Sequence, residues 1–71
     1  MNRINPQKLL LSKWTAANPL NREKHFLVIE CQRDDEDNVV AVEIEAVLTR
    51  RTEILPWQQL QDSTQWLAGW R

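Results

Sequence analysis

This chain is short of almost every residue that announces a function. Among its 71 residues there is one cysteine, one glycine, one phenylalanine and no tyrosine, and the formal net charge is −1. With Cys31 alone, no intrachain disulfide and no cysteine-pair zinc site can form, as expected of a protein kept in a reducing cytoplasm. A near-neutral charge gives no long-range field to gather nucleic acid or anionic lipid. The longest leucine run, Leu9 to Leu11, is too short for a secretory core or a membrane span. These absences point to one soluble cytoplasmic domain over 1–71, with 1–7 as a loosely ordered N-terminus.

What the chain has is tryptophan. Four indoles, at positions 14, 57, 66 and 70, supply nearly all of its aromatic surface. A domain this small buries only about 60% of its unfolded surface. Truncating one buried indole to alanine typically costs about 3–5 kcal/mol, comparable to the whole stability of such a domain. Most of the tryptophans are therefore expected in the core, with Trp66 and Trp70 anchoring the tail.

The pattern predicts strands first and helical turns last. Lys8 to Ala16 reads as a strand, and Asn18-Pro19-Leu20-Asn21 as a turn. Lys24 to Gln32 reads as a strand that is apolar on both faces through Phe26, Leu27, Val28 and Ile29. After the acidic turn Asp34 to Asn38, the segment Val39 to Thr49 alternates cleanly. Val40, Val42, Ile44, Ala46 and Leu48 take one face, and Glu43 and Glu45 the other. Arg50 to Leu55 reads as a short fourth strand or a bent continuation of the third. Beyond Pro56, apolar spacings of three and four predict one helical turn over 57–61 and a short helix over 64–68. Gly69 fits a left-handed stop after it.

The fold expected is a small α+β domain. Three or four antiparallel strands form a meander, and the C-terminal helical segment packs on one face. The alternative is an SH3-like β-barrel with a helical plug.

The stretches LLLSKWTA-x-NP, VVAVEIEAVLTRR and PWQQL-x-D-x-x-x-W-x-x-GW resemble a small bacterial family of tryptophan-rich proteins, a domain of unknown function. The likeness runs from about Lys8 to Arg71. It implies one compact natural domain and brings no activity, ligand or catalytic residue with it.

Catalysis finds little to work with. Cys31 is placed on an apolar strand face, His25 at a strand start, and about 20 Å of extended chain separates them. No catalytic residues and no cofactor are assigned, and the chain is not read as an enzyme. The run Asp34 to Asn38 lacks the glycine and the terminal bidentate glutamate of a calcium loop, so no metal site is assigned.

Two binding readings remain. The first, which the sequence favours because Glu43, Glu45 and Glu53 stand close to the basic residues, is a protein-interaction module, for an unknown partner or a second copy of itself, built on exposed tryptophan. The second is a binder of single-stranded nucleic acid or nucleotides that stacks tryptophan on bases beside a basic cluster. Both draw on Trp14, Trp57, Lys13, Arg50 and Arg51.

Overall fold

The computed structural model describes all 71 residues, Met1–Arg71. Five strands follow one another: β1 (Lys13–Leu20), β2 (Glu23–Arg33), β3 (Val39–Ala46), β4 (Thr52–Pro56) and β5 (Trp66–Ala68). They form one antiparallel sheet in the order β4-β3-β2-β1-β5. Two short 3-10 turns, Pro6–Lys8 and Trp57–Gln61, complete the architecture. No helix is long and apolar enough to cross a membrane.

The β2–β3 hairpin forms where the alternation is cleanest. Asp34 closes its turn by accepting the backbone N–H groups of Glu36 and Asn38, each at 2.9 Å. Val42, Ile44 and Ala46 are fully buried, while Glu43 and Glu45 lie on the opposite face. Leu48, expected on the buried face, is exposed because the strand ends at Ala46, and Val40 is exposed because the register with β2 shifts between Gln32 and Arg33, which buries Val39 in its place.

β3 ends at Ala46 rather than Thr49 and β4 starts at Thr52, and further differences from the sequence reading fall in β1, its turn and β2. β1 begins at Lys13 rather than Lys8, because Leu11 is left-handed (φ 65) and Ser12 donates to Leu9 through both its backbone and its hydroxyl. The β1–β2 turn falls at Asn21 and Arg22, both left-handed, a pairing that suits the twist of a tight hairpin. It is not centred on Pro19, which sits where the β1–β2 register is irregular. A further correction concerns β2, whose register slips between Val28 and Glu30. Cys31 thereby leaves the face of Leu27 and packs half-buried against the core, where desolvation raises its pKa.

The tail departs most. The turn over Trp57–Gln61 is present as 3-10 helix, but no helix spans 64–68. Those residues instead pair with β1, matching Trp14 with Ala68, Thr15 with Leu67 and Ala16 with Trp66. A lone helical turn would leave most of its backbone groups unpaired. The open edge of β1 satisfies them, since Ala17 N–H donates to Gln65 O and Gly69 N–H to Lys13 O. The α+β class therefore gives way to a sheet with 3-10 turns; the expected helix over 64–68 is absent, and the helical piece that packs on the sheet is the Trp57–Gln61 turn.

One face of the sheet, here the inner face, carries the core. Trp14, Phe26, Val28, Val42, Ile44, Ala46, Leu55 and Trp66 meet there, joined by Leu9 and by Leu60 from the second 3-10 turn. Phe26 and Trp66 pack edge to face, with ring centroids 5.1 Å apart. The N-terminal segment closes over this side. Asn2 Nδ2 donates to Leu60 O and Trp66 O, and Ile4 packs on the cluster.

Candidate functional site

The tryptophans expected at a site are mainly structural. Trp14 is 4% exposed, and its Nε1 donates to Ser12 Oγ at 2.9 Å. Trp57 is half-buried against the core. The buried Trp14 ring offers no free face for stacking.

Arg50 and Arg51 are held by acids. Arg51 Nε donates to both Glu23 oxygens at 3.0 Å, its Nη2 to Glu23 Oε1 at 2.8 Å, and its Nη1 to Glu53 Oε2 at 3.0 Å. Glu23 is only 4% exposed and accepts a further bond from the Thr49 hydroxyl. Hydrogen bonds from Arg51, then from Thr49, hold the Glu23 carboxyl below its ordinary pKa, and the bonds that Arg51 donates to Glu23 and Glu53 push Arg51 up. Arg50 lies 3.5 Å from Glu45. The basic cluster read from Arg50 and Arg51 is thus neutralised where it stands.

The residue that sequence reasoning misplaced is Trp70. It is 44% exposed, the most open of the four indoles, and lies on the outer face of the sheet. Gly69 adopts φ +81 just past β5, and that left-handed step turns the chain back across β1. Thr15, on the outer face, fixes the reversal: its hydroxyl donates to Gly69 O at 2.6 Å and accepts from Arg71 N–H at 3.0 Å. Trp70 is then locked. Its Nε1 donates to Phe26 O at 2.9 Å, its ring lies 5.8 Å from the His25 ring, and Lys13 Nζ stands 4.8 Å from its centroid. His25 Nε2 is itself 2.9 Å from Arg71 O.

Lys13 also lines a cleft of about 210 Å³ past the end of β5, beside Arg3, Lys8, Ser12, Trp14 and Ala68. No acidic side chain lines it, and none of its three cations lies within 4.0 Å of a carboxylate. Of the residues singled out from the sequence, only Lys13 and Trp14 are brought together here. A signal for the rest was present: residues 1–22 hold Arg3, Lys8, Lys13 and Arg22 and no acid. Trp70 was hidden because its four-residue spacing from Trp66 also fits one turn of helix.

Chemically, this surface can hold an anion and present a flat ring beside it. It pairs no nucleophile with a base, and no three His, Cys, Asp or Glu side chains are grouped to hold a metal ion.

No characterised protein and no solved structure matches the chain. The family model described as Tryptophan-rich protein (DUF2389) matches residues 12–71. That span takes in all five strands, Lys13 and the four tryptophans, whereas Arg3 and Lys8 precede it. The chain belongs to this tryptophan-rich family, a domain of unknown function.

Proposed function

We propose that this domain is a non-catalytic module that binds single-stranded nucleic acid on the surface shared by Lys13 and Trp70. The observation that carries the reading is a half-exposed indole, fixed by its own hydrogen bond, beside Lys13, which is also one of three cations in an adjoining cleft that no carboxylate neutralises. A base stacks on a rigid indole whatever its sequence, for about 1–3 kcal/mol per base. Phosphates meet Arg3, Lys8 and Lys13 one cleft away, where Lys13 links the two halves of the surface.

The net charge of −1 does not oppose this, because the charge is unevenly placed. The Asp34–Asp37 run lies in the turn of the β2–β3 hairpin, and of Glu43 and Glu45, which share the outer face with Trp70, Glu45 already pairs with Arg50. The sheet with its two edges bridged by the Trp57–Gln61 turn, which touches β3, β4 and β5, suits the SH3-like alternative read from the sequence.

The test is titration with an oligothymidylate of mixed length, followed by tryptophan fluorescence. Quenching is expected at low salt, with log affinity falling against log salt at a slope of about −2 if three phosphates are neutralised. An absence of quenching at low salt, or a Trp70→Ala variant that binds as well as the parent, would sink the reading.

A further inference from the structure

The larger hollow of the molecule lies elsewhere, on the inner face between β1, β4 and β5. It holds about 320 Å³, at the lower end of the range of small-ligand pockets, about 300–1,000 Å³. Phe26 and Trp66 form an aromatic floor, Ala16 and Leu20 add apolar wall, and Glu23, Arg51 and Glu53 stand along one side. We infer that this pocket receives an arginine side chain from an extended segment of a protein partner.

Charge and donor count select the occupant. Glu23, Arg51 and Glu53 together carry one net negative charge, and the four hydrogen bonds that Glu23 accepts leave it saturated. Glu53 is different. Only its Oε2 is engaged, by Arg51, and its side chain is 43% exposed, so Oε1 is open to a newcomer. Asn18 donates its Nδ2 to Thr64 O, which leaves its side-chain oxygen open as well, and Gln65 adds a third polar group at the rim. Acceptors spread around an aromatic floor suit a planar cation with several donors, which is the guanidinium rather than the compact ammonium.

The topology argues for an extended segment. β4 and β5 are the two edges of the sheet, and the pocket takes Glu53 from one and Trp66 from the other. The backbone of Trp66 is already engaged by Asp62 and Asn2, so a segment entering between the two edges pairs with the edge of β4 while its side chain fills the hollow.

The four indole N–H signals make the test independent of the nucleic-acid reading, because Trp66 reports on this pocket and Trp70 on the outer surface. A short glycine-flanked arginine peptide, titrated into the ¹⁵N-labelled protein, is expected to shift the Trp66 indole and the Gln65 amide while leaving Trp70 in place. The citrulline counterpart and the Glu53→Gln variant are each expected to bind about threefold to fivefold more weakly, the range of an exposed charge pair. Free arginine amide binding as well as the peptide would remove the extended segment from the proposal. Equal binding of the arginine and citrulline peptides, or an unmoved Trp66 signal at millimolar peptide, would overturn it entirely.

Discussion

Trp66 and Trp70 are separated by three residues and by the thickness of the sheet. Trp66 points inward, is 8% exposed, and meets Phe26 edge to face. Trp70 lies outward, is 44% exposed, and is held by one hydrogen bond, a histidine ring and a lysine. The first is surrounded by apolar atoms, so its worth is in area removed from water. The second keeps much of its area in water, so its rigid placement stabilises the fold less and leaves a surface to bind with. Identical side chains thus do opposite work because one glycine between them reverses the chain.

The comparison breaks most visibly at Trp66. Trp66→Ala leaves a large cavity over Phe26, and a cost of about 3–5 kcal/mol is expected, close to the whole stability of a domain of this size. Circular dichroism should show a largely unfolded chain, or a melt displaced far below the parent. A variant that melts cooperatively near the parent temperature would mean that the tail is not core.

That inward role was legible in the sequence, since so small a domain has too little other aromatic surface to leave Trp66 idle. The β2–β3 hairpin was legible too, because Val42, Ile44 and Ala46 alternate with Glu43 and Glu45 and an acidic turn precedes them. The tail's conformation was not. Three residues of strand carry no periodicity of their own, and β5 exists only because the edge of β1 is there to pair with it. The turn at Asn21 and Arg22 was equally obscure, for arginine gives no hint of a left-handed backbone. The candidate site suffered for both reasons. Trp70 reaches the outer face through a strand and a reversal, neither of which local sequence declares, and Arg51 lost its candidacy to Glu23, which lies 28 residues away.

The next effect falls on binding rather than folding. Trp70→Ala removes one hydrogen bond and two ring contacts, and is expected to lower stability by about 1 kcal/mol. The same variant should lose about 1–3 kcal/mol of affinity for the oligothymidylate. Urea unfolding and fluorescence titration on one preparation separate the two quantities. A stability loss matching that of Trp66→Ala would show that both indoles are core and dissolve the contrast.

Gly69→Ala tests the reversal itself. A Cβ placed at Gly69 meets nothing within 4 Å, so no clash contributes. What remains is the left-handed backbone at φ +81, which costs a residue with a Cβ about 1 kcal/mol or somewhat more. Trp66, ahead of the glycine, should keep its protection from acrylamide quenching. Trp70, beyond it, should become more accessible. Equal changes at the two indoles would mean that the tail moves as one body and that Gly69 is not the pivot.

Acid should distinguish the faces most gently. The Glu23 carboxyl is held below its ordinary pKa in the folded chain, chiefly by Arg51 and then by Thr49. Its contribution to stability is therefore fully present above the unfolded value, about 4.3, and is lost as pH falls through the lower folded value. Asp34, held down by the backbone of Asn38, and Asp62, held down by Thr64, act in the same direction. Urea midpoints should therefore decline for the parent as pH drops below about 4.3, and decline less for Glu23→Gln, so that the two curves converge in acid. The early response should appear at Trp66, which shares a pocket with Glu23 and Arg51, and not at Trp70, where no carboxylate side chain holds the ring. Movement of the Trp70 signal ahead of that of Trp66 would mean that the outer surface depends on the ion triad, and that the two faces are not independent.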